Sequence, residues 1–167
     1  MNLSKKDRLL LINQYKILAA LDKDDASHYG ELIQILENGY SIFYSMVDEW
    51  VSEDMPEEES RFVLEILDLY RAIEDIKKKS RNEDIEKHLY SFFKGFDGNN
   101  ETEYMAFSRF LIQEQDKFRE QEKYLIKNDN MNSHMPMIEK YKRMLVESKK
   151  YDIWNMDVEA VITILNA

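Results

Sequence analysis

Glycine and proline are scarce in this chain, and their scarcity limits the possible folds more than any other feature. The 167 residues include only 4 glycines and 2 prolines. Turn-dense β-sandwiches need many more of both residues, whereas long helices joined by few connections do not. Apolar residues also recur at intervals of three and four positions, the spacing of one helix face. The sequence therefore predicts an all-α protein, an irregular bundle of seven or eight helices.

Capping residues indicate where several of these helices begin. Ser4, with Asp7 three residues later, predicts the start of a helix with a wide apolar stripe that reaches Leu21. Pro56 and the three glutamates after it predict a second start, because proline and acidic side chains both suit a helix N-terminus. Asp157 is the expected cap of the last helix.

Two segments depart from a simple helical pattern. In residues 40–46, every second position is apolar or aromatic, as in a strand, but Phe43, Met46, Val47 and Trp50 also have helical spacing. The sequence leaves strand and helix open here, and a short extended entry into a helix would satisfy both patterns. Asn100 and Glu103 resemble a capping box, and apolar positions continue from there to Leu125. Because Phe118 is the only large apolar residue between Gln113 and Lys123, the sequence predicts a long helix that projects into solvent or meets a partner along a narrow seam.

Length and composition favour one acidic domain over residues 1–167. Hydrophobic residues make up 44% of the chain, enough for a core, and 33 acidic against 23 basic residues give a net charge of −10. That charge repels phosphate backbones, so DNA binding is not expected. The apolar run at Leu9–Ile12 is too short for a signal peptide or a membrane span, and we expect a cytoplasmic protein.

Several short motifs, in the same order along nearly the whole chain, resemble the YfbU family of bacterial proteins. The resemblance implies a small bacterial helical protein and names no reaction. A lysine-rich stretch at 77–81 and a longer polar segment at 113–130 depart from the family pattern, which could alter a partner surface. The motifs that carry the resemblance lie at residues 13–16, 36–40, 95–97, 109–110, 136–145 and 165–167.

One pair of residues fits the loose spacing of a nuclease motif. Arg81 and His88 are separated by six residues, as in HEPN-type RNases, where arginine and histidine handle a scissile phosphate. The same residues are also common on exposed helix surfaces and at helix ends. A helical RNase or toxin-like enzyme using Arg81 and His88 is therefore an alternative hypothesis.

No metal or cofactor site is expected from the motifs. His28, His88 and His134 are dispersed, and neither His-x-x-x-His nor Glu-x-x-His occurs. Cysteine is absent, which removes disulfides and thiolate zinc sites. Glycine-rich phosphate loops are also missing, so no cofactor is predicted.

Polar residues within apolar stripes are expected to be structural. Asn13 aligns with Leu9 and Ile17, which predicts a buried amide in a hydrogen-bond network between helices. Five tyrosines are expected to place their rings in the core, namely Tyr15, Tyr40, Tyr70, Tyr104 and Tyr141.

The charged residues within the family-like motifs are the remaining candidates for a binding site. Helix–helix salt bridging is the ordinary explanation for such residues, and a shared binding surface is the alternative. These candidates are Lys16, Asp97, Arg109, Lys140 and Arg143.

Together, these features predict a non-catalytic interaction or regulatory module with a protein partner. Abundant tyrosine, phenylalanine and methionine provide adaptable contact surface, and a homodimer is expected because cyclic dimers are the commonest soluble oligomers. A third hypothesis is a small cationic or neutral ligand bound in a cavity between helices.

Overall fold

The computed structural model describes residues 2–167 and confirms the all-α class. These residues contain no β-strand, and their one isolated β-bridge joins Phe96 and Asn132. Backbone contacts divide the chain into two compact units, Met1–Asp54 and Met55–Ala167. The expectation of a single domain stays a prediction. In residues 2–167 the eight α-helices are α1 (Lys5–Leu21), α2 (Ala26–Asn38), α3 (Ser45–Asp48), α4 (Glu57–Ser80), α5 (Glu83–Lys87), α6 (Thr102–Arg109), α7 (Ile138–Ser148) and α8 (Val158–Asn166).

The first unit is a hairpin of α1 and α2 followed by the short helix α3. The capping box predicted at the start of α1 is present: the Asp7 backbone N–H donates to Ser4 Oγ at 3.2 Å, and the Ser4 N–H donates to the Asp7 carboxylate at 2.9 Å. Gly39 ends α2 in the left-handed region at φ 72°. The buried side chains of this unit are Ile12, Tyr15, Leu32, Ile35, Leu36, Tyr44 and Val47.

Of the two alternatives for residues 40–46, the structure has the helical one and no extended segment. Ser41–Phe43 form a 3₁₀ turn, and Ser45 begins α3. The Tyr40 N–H donates to the Ile35 carbonyl, and the Phe43 N–H donates to the Tyr40 carbonyl. Because a lone strand would leave its backbone groups without a ladder partner, local turns satisfy these groups instead.

The apolar stripe of α1 is split between two faces. Ile12 and Tyr15 are buried, whereas Leu10, Ile17 and Leu21 are 55, 59 and 78% exposed. Asn13 is also exposed, so the predicted buried amide is wrong. Spacing alone showed that α1 is apolar around much of its circumference, but it could not tell which apolar residues face α2.

The second unit is built around α4, whose inward face is continuous from Val63 to Ile76. Tyr70 and Tyr141 pack edge to face at 5.9 Å between ring centroids, and both rings are buried, as predicted. Asp157 caps α8, as predicted, by accepting the Ala160 N–H at 2.8 Å. Tyr104 is half-buried, and Tyr40, in the first unit, is exposed against expectation.

The long helix predicted from Asn100 to Leu125 is also wrong. Helix α6 ends at Arg109, a π-helical segment covers Phe110–Glu114, and a 3₁₀ helix covers Arg119–Tyr124. Phe118 lies between the last two with φ 54° and is buried. Its ring packs under the Arg71 guanidinium at 4.3 Å, and burying this ring turns the chain back onto α4 instead of letting it project into solvent.

Candidate functional site

A charged groove lies at the C-terminal end of α4, in the second unit. Its volume is ≈ 710 Å³, within the range of small-molecule sites. Five basic and three acidic residues line it, so the local charge is +2 in a chain whose net charge is −10. We call it the basic groove; it is lined by Glu74, Lys77, Lys78, Arg81, Glu83, Glu86, Ser91, Phe92, Lys123, Tyr124 and Lys127.

Helical spacing explains why α4 contributes three of these residues. Glu74, Lys77 and Lys78 are three and four positions apart and fall on one face. Arg81 follows the last residue of the helix in the left-handed conformation, with φ 49°. Its N–H donates to the Lys77 carbonyl, which ends the helix and starts the turn into α5.

A buried carboxylate forms the floor of the basic groove. Glu74 accepts hydrogen bonds from Lys77 Nζ at 2.6 Å, from Lys123 Nζ at 2.5 Å and from the Tyr124 hydroxyl. Burial alone would raise the pKa of Glu74, but the three donors outweigh burial and lower the pKa below its ordinary value. Glu74 is therefore a structural anion that stays ionised.

All three protons of the Lys77 ammonium are donated to groups within the protein. The ammonium donates to Glu74, to the Ser91 carbonyl at 2.9 Å and to the Tyr124 hydroxyl at 2.8 Å, which accounts for all three of its protons. Burial, and then the hydrogen bond to the Glu74 carboxylate, raise the pKa of Tyr124, so its hydroxyl stays neutral and donates a hydrogen bond to Glu74. This part of the floor holds no spare donor for a ligand.

Other cations in and beside the groove have no such partners. Within residues 2–167, Lys78, Arg81, Lys94 and Lys127 make no side-chain hydrogen bond or ion pair. Lys94 Nζ and Lys127 Nζ lie 3.9 and 4.3 Å from the centroid of the Phe92 ring. Burial, and then the charge of Lys127, lower the pKa of Lys94. Two like charges around one ring, neither of them in an ion pair with a carboxylate, favour an added anion.

The structure places the predicted pair Arg81 and His88 in different surroundings. Arg81 lines the basic groove, and His88 is not among its lining residues. His88 Nδ1 accepts the Tyr90 N–H at 3.1 Å, and its Nε2 lies 3.2 Å from Asn166 Oδ1. Because Nδ1 accepts, the proton of the neutral ring must sit on Nε2, so both nitrogens are engaged.

The five charged candidates from the family-like motifs make separate contacts. Lys16 pairs with Glu37 at 2.8 Å between α1 and α2. Lys140 Nζ donates to the carbonyls of Leu165 and Ala167 at 2.8 and 2.7 Å, at the end of α8. Within residues 2–167, no member of the set hydrogen bonds to another member.

The other three candidates support turns and helix ends. The buried Asp97 accepts the Asn99 N–H at 3.0 Å and the Asn100 amide, and these hydrogen bonds lower the pKa of Asp97. Arg109 Nε donates to the Asn130 carbonyl at 2.8 Å. Arg143 reaches the Glu139 carbonyl one turn back on α7, at 3.2 Å.

Sequence reasoning assigned part of the groove to other roles and missed the rest. The lysine-rich stretch at 77–81 was noted as a departure from the family pattern. Lys123 fell in the stretch expected to project into solvent, and Lys127 fell in the longer polar segment at 113–130. The available signal was the basic spacing itself, at 77, 78 and 81 and again at 123 and 127, in a chain with ten more acids than bases. Within residues 2–167, none of the helices has both the length and the apolar character of a membrane span.

Comparison with known proteins agrees with the resemblance in the sequence motifs. A family model described as the YfbU domain matches residues 1–167. The chain is 50% identical over 169 aligned residues to the UPF0304 protein MJECS11 of Methanocaldococcus jannaschii, and the alignment covers 99% of each chain. Both comparisons span the basic groove as well as the α1–α2 hairpin.

Proposed function

The chain belongs to the YfbU family, and from the basic groove we propose that it is a non-catalytic regulatory module that binds a small phosphate-bearing anion. One observation carries this proposal: cations without carboxylate partners cluster at one groove of a strongly acidic chain. Apart from the two pairs that Glu74 forms in the groove, eight ion pairs of lysine or arginine in residues 2–167 show that acids are available to such side chains. A ligand anion would supply the missing charge.

The polar contacts of the groove support ligand binding and not catalysis. Glu74 already receives three donors, and the protons of Lys77 already have three acceptors, so neither group is free to transfer a proton to a ligand. Lys78, Arg81 and Lys127 remain available as donors. A phosphate group takes several charge-assisted hydrogen bonds from such side chains, and the guanidinium of Arg81 can bind two of its oxygens.

This proposal refines two of the sequence-based hypotheses. A ligand between helices was expected to be cationic or neutral because of the net acidity, but the local charge of the groove favours an anion. The RNase hypothesis with Arg81 and His88 stays a prediction, as do the bacterial origin, the cytoplasmic location and the protein partner. The engaged nitrogens of His88 give that hypothesis no added support.

Titration calorimetry with pyrophosphate tests the proposal directly. We expect saturable 1:1 binding to the full chain, and a binding constant about 100-fold weaker, or worse, in the double variant Arg81→Gln/Lys127→Gln, because each substitution removes a charge-assisted contact of about 1.5 kcal/mol or more. Orthophosphate should bind more weakly than pyrophosphate. Sodium chloride at matched ionic strength should give no saturable heat.

A second double variant controls for net charge. Arg61→Gln/Lys142→Gln also removes one arginine and one lysine, but these side chains are exposed and paired with Glu57 and Glu139. It should bind pyrophosphate within about twofold of the wild type, since surface pairs contribute little. Equal losses in both double variants, or no saturable binding by the wild type, would refute a specific anion site.

A further inference from the structure

Helix α1 has a second apolar face that is independent of the basic groove. Leu10, Ile17 and Leu21, together with Gln14, follow one another at spacings of four, three and four residues. At 100° per residue these positions fall in a stripe roughly 60° wide, opposite the face that carries Ile12 and Tyr15 into the core. All four are exposed. We call this stripe the outer seam of α1.

The spacing of the outer seam is that of a coiled-coil contact. Alternating intervals of three and four place side chains along a line that a second helix can follow. Leu18 flanks the stripe and is 40% exposed. The first unit also has a small interior, with seven buried hydrophobic side chains among residues 2–54, so further burial would stabilise it.

Charge distinguishes among the partners that could cover this seam. Lys5 and Lys6 stand at the N-terminal end of α1, are exposed and make no ion pair within residues 2–167. At the opposite end, the turn after α1 carries Asp24 and Asp25, exposed and likewise without ion pairs in the described chain. One end of the seam is therefore positive and the other negative.

These two ends complement each other only in an antiparallel pairing of identical helices. Such a pairing brings the lysines of one copy to the aspartates of the other at both ends of the contact. Parallel pairing would place lysine against lysine and aspartate against aspartate, which is repulsive. We propose that the outer seam of α1 is the contact surface for a second copy of this chain, in a two-fold antiparallel arrangement.

In this arrangement the two-fold axis passes close to Gln14 and Ile17. Leu10 of each copy then meets Leu21 of the other, and the acidic turn of each reaches Lys6 of the other. The homodimer expected from composition thereby gains a specific surface, which belongs to the first unit alone and needs no ligand in the basic groove.

Analytical ultracentrifugation of the full chain over a range of concentrations tests the surface. We expect a monomer–dimer equilibrium, and Ile17→Glu should weaken dimerisation about 10-fold or more by placing a charge in the seam. Val146→Glu is the matched control, because Val146 is 64% exposed on α7 and lies outside the seam. A wild type that stays monomeric, or equal effects of the two variants, would refute the proposal.

Charge reversal tests the orientation without touching the apolar residues. Lys5→Glu/Lys6→Glu should weaken the dimer, and so should Asp24→Lys/Asp25→Lys, because each double variant sets like charges against each other. The quadruple variant restores opposite charges and should return to within about threefold of the wild type. A quadruple variant as weak as the two doubles would refute antiparallel pairing. Circular dichroism of each variant verifies that α-helical structure is retained.

Discussion

Glu74 is a buried carboxylate whose oxygens accept three hydrogen bonds from neighbouring side chains. Its three donors lower the pKa of the carboxyl, so the folded state favours the ionised form more than the unfolded chain does. This contribution to the free energy of unfolding is fully present above the ordinary pKa of 4.5 and is lost as pH falls through the lower, folded-state pKa. Acid should therefore weaken this part of the second unit.

Glu74→Gln should destabilise the protein by about 3 kcal/mol at neutral pH, since it leaves the ammonium of Lys77 without its counter-charge. Urea denaturation of both proteins at several pH values measures the difference. The difference in the free energy of unfolding between wild type and variant should become smaller as pH falls below about 4.5. A difference independent of pH would mean that the glutamate acts through packing and not through its charge.

Gln121, unlike Glu74, is a buried polar residue whose side chain makes no hydrogen bond within the described residues. Its side-chain amide is buried, and neither the nitrogen nor the oxygen has a hydrogen-bond partner among the residues that the structure describes. Gln121→Met keeps the length of the side chain and removes both polar atoms, so we expect stability to rise by about 1 kcal/mol. A rise in melting temperature checks this, and a fall would indicate that the amide has a partner that is not a protein group.

Neither residue could be identified from the sequence. Glu74 follows the same pattern as any glutamate in a lysine-rich helix end, and its three donors come from two segments about 50 positions apart. Capping residues were easier to predict from the sequence, because Ser4 and Asp157 bind backbone groups within three positions of themselves. Local hydrogen bonds can be predicted from sequence, whereas a buried polar network needs the tertiary fold.

At the scale of elements, one glycine lets a buried turn approach the loop before α7. Gly95 has φ 83°, and its neighbour Phe96 donates its N–H to the Met131 carbonyl at 3.0 Å. A β-carbon on residue 95 would come within 1.9 Å of the Met131 oxygen. The Tyr141 hydroxyl also donates to the Gly95 carbonyl at 3.0 Å, which ties this turn to α7.

Gly95→Ala should therefore cost about 3 kcal/mol or more, from backbone strain and from the clash with Met131. Gly30→Ala is the matched control: Gly30 lies within α2, and a β-carbon there would meet no atom within 4 Å. That change should stabilise the protein by about 0.5–1 kcal/mol, because alanine is the better helix former. Thermal melts of the two variants should shift in opposite directions.

Helices with strong caps and one apolar face were predicted correctly, and irregular elements were not. Helix α4 begins just after Pro56 and runs to Ser80, close to the predicted limits. The segment 110–124 was predicted as helix because Leu111, Phe118 and Leu125 are seven residues apart. Its actual course depends on burying Phe118 beside Arg71, a contact between residues 47 positions apart. Periodicity does not encode such long-range contacts.

For the whole molecule, composition predicted the fold class correctly but gave no sign of the basic groove. Scarce glycine and proline correctly predicted an all-α protein, because that argument concerns the backbone of the entire chain. Net charge is also a property of the entire chain, but a binding site senses mainly the charges within a Debye length, about 8 Å at physiological salt. The five bases of the basic groove were therefore invisible in a total dominated by 33 acids.

Because the groove is locally positive in a chain that is negative overall, it should bind small anions in preference to long anionic polymers. Under the proposed function, a compact phosphate-bearing metabolite would reach the excess of cations in the groove, whereas a long polyelectrolyte would also run past the acids of the rest of the chain. Such a groove would favour the phosphate group of a small metabolite over the phosphates of nucleic acids.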